Sequence, residues 1–454
     1  MEPAAEVPIG ANFGLATKPF CAQDIRRFDR ARASSVLMNL LFPDRDKLGR
    51  DPLGFLLREA ERASAPVLPL ALGFHRYLLV TDFTLINEGP FCARWLCAPP
   101  SPFDFFAPIE IDENSLNRQI AHPKVCINTE DCVKIVDDIT KEILGSLRRG
   151  IFSAYRHASF DCWRFSNSVA TKLAFAALFG TDSVADEQIF SQHAEITHSL
   201  RDPISLDIIL RRHKPVYLKT RSCKHSLHIA HSVALKAYRD RKRIGLCSHT
   251  NELTSSDEFL SDLAISISQA TAEALFWAIF ALSKNIYLRS IVEREADACL
   301  SSDGDIDLST LHVAQATKNL VLEVMRLAPA RNMITFEASS GFVLRNTAIK
   351  SGDRLIIYPN TIFRGRQHFS EANEIRIDRK YHMGLSGLHY LACGGRIVFR
   401  LVSLKLVLLL LDLAAAFELE LVESPDEFMA APSFGNVRPD IKVRLNLRRS
   451  RLFR

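Results

Sequence analysis

The sequence predicts a mainly α-helical protein with small β-sheets. Helical periodicity of apolar residues runs almost without interruption from about residue 133 to 282 and returns in a long apolar segment at 401–417. Strand-like alternation is confined to two short patches, at 67–82 and 342–359. No internal repeat or low-complexity linker divides the chain, so we predict one domain over 51–454, preceded by an N-terminal extension over 1–50.

The first elements of this domain are a helix and a β-hairpin. The segment DPLGFLLREAERA, which begins at Asp51, has apolar residues at helical spacing and Asp-Pro at its start. VLPLALGFHRYLLVTD then reads as two short strands joined at Gly73. The segments VKIVDDITKEILGSL and FSNSVATKLAFAALFG, the latter ending at Gly180, continue as helices, and a long helix follows from Glu258 to Ser283.

The last third of the chain contains the second strand patch and the most apolar helix. FVLRNTAIKSGDRLIIYP alternates apolar and polar residues around a predicted hairpin turn at Ser351-Gly352-Asp353. The apolar segment that follows from Leu401 is interrupted by three polar residues, namely Ser403, Lys405 and Asp412. We therefore expect it to be a buried helix of the core and not a membrane span.

Composition excludes several functional classes. Among 454 residues, 47% are hydrophobic and 24% charged, which is typical of globular proteins and not of disordered chains. A net charge of +5 is too small and too dispersed for a dedicated nucleic-acid binder. The ten cysteines form no C-x-x-C pair, so neither a zinc site nor a disulfide framework is predicted. The N-terminus shows no secretory signal or membrane anchor, and a cytoplasmic protein is expected.

The order of motifs in the second half of the chain points to one family. LVLEVMRLAP places Glu323 and Arg326 three residues apart on one helical face, within reach of a carboxylate–guanidinium pair. The strand patch, HFSEANEIRIDR, the Gly-rich segment GLHYLACGGR and a long apolar helix follow in that order. Together with the early helix and hairpin, this order resembles cytochrome P450, the haem-thiolate oxygenase family, over nearly the whole chain.

The resemblance implies a haem b whose iron is bound by a cysteine thiolate. In that family the ligand lies in a loop of the form F-x-x-G-x-[RH]-x-C-x-G, which leads into a helix. Cys393, followed by Gly395 and Arg396, matches the ligand. The approach departs from the pattern, because two extra residues, Leu391 and Ala392, stand between the Gly387-x-His389-x motif and Cys393, and no phenylalanine occupies the usual place. The alternative interpretation is that Cys393 is only a small apolar residue buried in the core.

Two further residues are matched to the haem propionates by the same resemblance. Arg118, in NSLNRQIAHP, corresponds to the arginine of a propionate-binding helix, although Asn114 stands where the family has His or Trp. His389 corresponds to the residue near the ligand that reaches a propionate in some members. Both are equally compatible with surface or capping positions. Buried carboxylates need such cationic or hydrogen-bonding partners.

The distal side of the haem is predicted from the long helix. The family shows Ala-Gly-x-Asp/Glu-Thr there, an acid–alcohol pair that delivers protons to bound oxygen. Counting back from Trp277, the matching residues are Ser266, Ile267, Ser268, Gln269 and Ala270, with Thr271 one position further. Gln269 and Thr271 are thus the candidate catalytic residues, and Thr271 replaces the missing hydroxyl only if the helix is locally rewound. The alternative interpretation is that Gln269 and Thr271 are ordinary residues of the helix surface.

The family completes its Glu–Arg pair with an arginine from a later loop. ANEIRIDR places Glu374 at the expected position and Arg376 two residues on. A buried Glu323–Arg326 pair needs additional partners to offset its desolvation. We therefore expect Arg376 to be the third member.

The resemblance implies a monooxygenase that oxidises a small hydrophobic substrate with O₂ and with electrons from a separate ferredoxin or reductase, since the chain has no flavin or iron–sulfur motif. One alternative is a haem-thiolate catalyst that uses peroxide, isomerises or dehydrates its substrate. Another is a haem-free or degenerate member of the fold that survives as a binding module. The departures at Cys393, Glu374 and Gln269-Ala270 keep both alternatives open.

Overall fold

The protein is mainly helical with three small sheets, and the predicted fold class is confirmed. The computed structural model describes residues 44, 52–62, 65–71, 76–82, 85, 109–111, 159–179, 257–302, 304–330, 334–338, 341–366, 368–379, 386–393, 396–423 and 441–448. The predicted helix at 133–147 lies outside these residues, so it stays a prediction.

Helices form most of the described structure. In chain order they are α1 (Pro52–Arg62), α2 (Cys162–Phe179), α3 (Asp257–Lys284), α4 (Ile286–Ala298), α5 (Gln315–Leu327), α6 (Pro359–Phe363), α7 (Ser386–Cys393) and α8 (Arg396–Ala416), with a 3₁₀ helix at Leu308–Val313. The predicted helices after Asp51, within 165–180 and over 258–283 correspond to α1, α2 and α3 and are confirmed.

Strands are short and peripheral to the helices. They are β1 (Val67–Leu70), β2 (Tyr77–Val80), β3 (Ile109–Ile111), β4 (Ser159–Asp161), β5 (Ile334–Ala338), β6 (Phe342–Leu344), β7 (Thr347–Ile349), β8 (Arg354–Ile357), β9 (Phe417–Glu423) and β10 (Lys442–Leu447). A five-stranded sheet has the order β1-β2-β8-β5-β3, a three-stranded sheet has the order β4-β10-β9, and β6 pairs with β7 alone.

The largest core forms where α2, α3, α5 and α8 pack on one another and on the β9–β10 sheet. Helix α8 is at its centre, because its residues 408–411 are all leucines without exposed surface. Burying such side chains contributes roughly 1.5–3 kcal/mol each. The segment is a buried core helix, as its composition predicted.

The polar residues of α8 connect it to its neighbours. Lys405 is completely buried, and its Nζ donates a hydrogen bond of 2.9 Å to the carbonyl of Leu173 in α2. This bond satisfies a donor that would be costly to bury alone. In the part of the chain that the structure describes, no single helix passes the length and hydropathy test for a membrane span, whereas the pair formed by 267–284 and 286–298, bent by 110°, does.

The first predicted hairpin is present and joins the main sheet. Strands β1 and β2 pair antiparallel, with Val67 opposite Val80. Strand β2 then pairs parallel with β8, and β5 pairs antiparallel with the other side of β8. The sheet therefore brings the early hairpin against the strand patch of the last third of the chain.

The predicted turn of the second hairpin was wrong. The hairpin forms between β6 and β7, and it turns at Arg345, whose positive φ of 49° allows the two-residue connection. Gly352, with a φ of 84°, instead makes the turn from β7 to β8, which belong to different sheets. Glycine tolerates this left-handed conformation without steric cost. The alternation of the sequence revealed both strands but not which turn paired them.

Candidate active site

Helix α3 has one side packed against α2. The hydroxyl oxygens of Ser268 and Thr171 lie 3.0 Å apart, and the Cys162 thiol donates to the carbonyl of Phe276 at 3.8 Å. Trp163 also contacts the Phe276 ring edge-on, with 6.0 Å between centroids. These contacts fix the rotation of α3 about its own axis.

The opposite side of α3 is set by this rotation. At about 100° per residue, Ala270 and Trp277 fall roughly half a turn from Ser268, whereas Glu273 lies about 60° from Phe276, which also contacts α2. Ala270, Glu273 and Trp277 are buried, and Gln269, which precedes them, is half-buried. This side contains the position at which the resembled family has its alcohol, and the residue there is Ala270.

Thr271 lies between the two sides and its hydroxyl is engaged. Its Oγ1 donates a hydrogen bond of 2.7 Å to the carbonyl of Ile267, one turn earlier, and the side chain is fully buried. The helix is continuous from 257 to 284, so the local rewinding that would bring Thr271 to the Ala270 position is absent from it. A catalytic role for Thr271 stays a prediction that requires exchange of this bond.

Glu273 is a functional candidate that the sequence analysis missed. Its side chain is 2% exposed, and the indole N–H of Trp277 donates to Oε1 at 3.0 Å. The sequence did contain an indication of this residue, because Glu273 is an acidic residue within the apolar segment ATAEALFWAIF. It was overlooked because the motif count directed attention to Gln269, four residues earlier.

A second buried polar group surrounds Glu323 and Arg326 of α5. Both side chains have no exposed surface, and the guanidinium donates to the carboxylate through Nε at 2.7 Å and Nη2 at 2.9 Å. The remaining donors of Arg326 bind the carbonyls of Phe363, Ala372 and Glu374 at 2.6, 2.6 and 3.0 Å. The predicted pair is confirmed, and its charges are balanced by hydrogen bonds.

The third member of this cluster is Arg379. Its Nε donates to Glu323 Oε1 at 3.1 Å. The predicted third member, Arg376, was wrong with respect to its side chain, which binds Glu371 and Asp378 at the surface. Only the backbone N–H of Arg376 donates to Glu323, at 2.9 Å. The backbone at Arg376 thus already lies against α5, but its side chain points to the surface, and Arg379 is the arginine whose side chain reaches Glu323.

The phenyl ring of Phe369 contacts both guanidinium groups of this cluster. The centroid of its ring is 4.8 Å from the Arg326 guanidinium carbon and 5.4 Å from that of Arg379. Cation–π attraction of this kind adds roughly 0.5–2 kcal/mol when the charge is partly desolvated. Hereafter Glu323, Arg326 and Arg379 are called the ion cluster.

Cys393 is the last residue of α7, and its side chain is 3% exposed. The expected ligand loop was therefore wrong in conformation, because the residues before Cys393 are helical from Ser386 onwards. The extra residues between His389 and Cys393 complete one helical turn, which puts both side chains on the same face of α7. Helix α8 begins three residues later, at Arg396.

His389 is buried between two aromatic rings. The centroid of its imidazole lies 4.7 Å from that of Phe363 and 5.8 Å from that of Phe399. Such tilted and edge-on geometries are the favourable ones for aromatic pairs. The predicted propionate contact of His389 is not tested by these packing contacts. Arg118, the other predicted propionate partner, lies outside the described residues.

Comparisons with known proteins agree with this architecture. Residues 259–379 match the family model described as Cytochrome P450, a segment that extends from α3 to Arg379 of the ion cluster. This segment is therefore similar to cytochromes P450. A solved zebrafish cytochrome P450, in a structure with abiraterone, is 16% identical with a TM-score of 0.65 and matches over 88% of this chain and 99% of that chain. At this identity the likeness establishes the cytochrome P450 fold. No curated protein matches the sequence.

The thiols of the described cysteines differ in how well they suit a metal ligand. Burial strongly raises the pKa of the Cys162 thiol, and burial also raises that of Cys299. Both thiols are therefore kept protonated, and a thiol must lose its proton to bind iron. Among the described residues Cys393, buried three residues before the core helix α8, is the cysteine that the resemblance matches to the ligand, and this assignment stays a prediction.

Proposed function

We propose that this protein is a haem-thiolate monooxygenase with Cys393 as the axial ligand of haem b. The observation that supports this is the buried Cys393 immediately before α8, in a chain with the cytochrome P450 fold. The net reaction is RH + O₂ + 2 e⁻ + 2 H⁺ → ROH + H₂O. A thiolate-bound haem supplies oxygen activation, and the electrons come from a separate ferredoxin or reductase.

The protein's own residues provide binding, orientation and exclusion of water. Cys393 would hold the iron, and the aromatic contacts of His389 with Phe363 and Phe399 fix the orientation of α7. Arg118 and His389 would bind the propionates. The apolar side chains around the site favour a small hydrophobic substrate.

A reduced carbon-monoxide spectrum of the full-length chain tests this function. We expect the red-shifted absorption of thiolate ligation in the wild type and its loss in Cys393→Ser, with helical content unchanged by circular dichroism. Cys299→Ser is the matched control, because Cys299 is also buried but its thiol donates to the carbonyl of Thr310 at 3.6 Å. An unchanged spectrum in Cys393→Ser, or wild type that stays haem-free when haem is supplied, would overturn the proposal.

A second candidate is a haem-thiolate enzyme that does not activate O₂. Ala270 has no hydroxyl, and that of Thr271 is bound to the carbonyl of Ile267, so the alcohol of the usual proton-delivering pair is absent from its place. Product formation from peroxide, or rearrangement of a substrate without any reductase, would favour this function. Dependence on both O₂ and a reductase would exclude it.

A further inference from the structure

Arg364, directly after α6, carries a buried positive charge. The residue is 8% exposed, and arginines are rarely buried to this degree unless they are paired. Its Nη2 donates to the carbonyl of Leu327 at 2.7 Å, and its Nη1 donates to Oδ1 of Asn373 at 3.0 Å. Both acceptors are neutral, and the Nε–H has no acceptor among the described residues. Within this part of the chain, the guanidinium therefore has no carboxylate to balance its charge.

Arg326 shows how a guanidinium is paired in the same part of the fold. Its Nε and Nη2 both donate to the carboxylate of Glu323, so one whole edge of the group is bound to negative charge. On the corresponding edge of Arg364, the Nε–H binds none of the described residues and Nη2 binds only the carbonyl of Leu327. The two environments therefore differ by one negatively charged oxygen group.

The charges around Arg364 make this imbalance larger. Burial, and then the positive charge of Arg326, lower the pKa of the Arg364 guanidinium to about 10. A group with this pKa stays protonated at pH 7, so the positive charge persists. Three carboxylates of the region already bind other arginines. These pairs are Glu323 with Arg326 and Arg379, and Glu371 and Asp378 with Arg376.

Asn373 lies between this guanidinium and solvent. The residue is exposed, and its amide oxygen accepts the bond from Nη1 of Arg364. Its amide NH₂ group is a further hydrogen-bond donor. A guanidinium and an amide donor thus lie together just beneath the surface. Guanidinium groups bind the oxygens of phosphates and carboxylates through strong, charge-assisted hydrogen bonds.

We propose that Arg364 and Asn373 bind a small inorganic oxyanion of the phosphate class. The anion supplies the negative charge that the surrounding side chains lack. Leu327, Arg364 and Asn373 belong to three segments, which are the end of α5, the residue after α6 and the loop before Arg376. A bound anion therefore stabilises the junction of these segments. The proposal does not depend on the haem-thiolate function.

Equilibrium dialysis of the full-length chain against radiolabelled inorganic phosphate at pH 7 tests the site directly. We expect one phosphate per chain with a dissociation constant on the order of 1 mM, which a few charge-assisted hydrogen bonds provide. Arg364→Gln should weaken binding by about tenfold or more, because the charge is removed. Arg76→Gln is the matched control, since Arg76 already has the carboxylate of Asp353 at 3.0 Å, and it should bind phosphate like the wild type. A wild type that binds no phosphate, or equal affinity in Arg364→Gln, would overturn the proposal.

Asn373→Asp tests the site without depending on the folding of Arg364→Gln. The aspartate places a carboxylate where the amide oxygen now lies, 3.0 Å from Nη1 of Arg364, and so supplies the missing charge within the chain. We expect its midpoint of thermal unfolding in phosphate-free buffer to rise by about 2 °C or more. The saturable rise of this midpoint with phosphate, expected in the wild type, should be lost.

The non-specific effect of phosphate is measured in the same experiment. Phosphate also stabilises proteins because it is excluded from their surface, and this part does not saturate and is common to all variants. A saturable phosphate dependence in Asn373→Asp equal to that of the wild type contradicts the site. So does a midpoint below that of the wild type in phosphate-free buffer, because the added carboxylate would then not be the charge that Arg364 lacks.

Discussion

The ion cluster and helix α3 both contain buried polar side chains, but the hydrogen bonds of these side chains span very different distances along the chain. Glu323 accepts hydrogen bonds from residues 53 and 56 positions away, and Arg326 donates to carbonyls up to 48 positions away. On α3, the hydroxyl of Thr271 and the carboxyl of Glu273 each bond to a residue four positions away in the same helix. The cluster therefore fixes how segments of the fold meet, whereas these two bonds of α3 lie within a single helix.

This difference accounts for where the chain departs from the family pattern. The Glu–Arg pair keeps its geometry, because an unpaired charge in its place would destabilise the fold. The acid and alcohol positions of α3 hold Gln269 and Ala270, which cost the helix nothing. Residues at these two positions of α3 can therefore be exchanged by local substitution, whereas the ion cluster can be changed only together with several segments.

The largest effect is expected from breaking the ion cluster at its centre. Glu323→Ala leaves the guanidinium of Arg326 buried with only carbonyl partners, and removal of one member of a buried pair costs about 3–5 kcal/mol. We expect this loss in the free energy of unfolding, measured by urea denaturation. Many domains have a total stability of about 5–15 kcal/mol, so a fraction of the variant will be insoluble.

Glu371→Ala is the control for this substitution. Glu371 also pairs with an arginine, Arg376, but its side chain is half exposed and the pair is at the surface. Exposed pairs contribute about 0–1 kcal/mol. Equal effects of Glu323→Ala and Glu371→Ala would contradict the distinction between the buried cluster and the surface charges.

A smaller effect is expected from the outer member of the cluster. Arg379→Leu removes the bond to Glu323 and the bond of 2.9 Å from Nη1 to the carbonyl of Ser370. Hydrogen bonds to charged groups contribute about 1.5–3 kcal/mol, and we expect a destabilisation of that size. Arg376→Leu should cost at most about 1 kcal/mol, because its partners are exposed. Reversal of this order would restore Arg376 as the third member.

The error over Arg376 shows what a sequence can predict about such a cluster. Glu323 and Arg326 are three residues apart on one helix, so helical geometry alone brings them together. The third arginine comes from a non-helical segment, in which two or three residues decide whether a side chain points to the core or to solvent. Similarly, helices α1, α2, α3 and α8 followed from periodicity, whereas the β6–β7 turn depended on the conformation of Arg345.

The candidate site was predictable where it depends on residue type and not where it depends on backbone conformation. The sequence indicated Cys393 through its place before a long apolar helix. It did not indicate that the preceding residues form α7, since the Gly-rich spacing favoured a loop. Glu273 was missed because the motif alignment directed attention to Gln269 and Ala270. The alignment does not consider an acidic residue one helical turn further along.

The smallest effect is expected at the contact between α3 and α2. Ser268→Ala removes one hydroxyl, but the Thr171 hydroxyl still donates to the carbonyl of Asn167 at 2.8 Å. No buried donor loses its last partner, and alanine is the better helix former, so we expect a loss of about 1 kcal/mol or less. Urea denaturation and the carbon-monoxide spectrum both measure this variant. A loss of 3 kcal/mol or more would mean that this hydroxyl contact between two helices stabilises the fold as strongly as the ion cluster does.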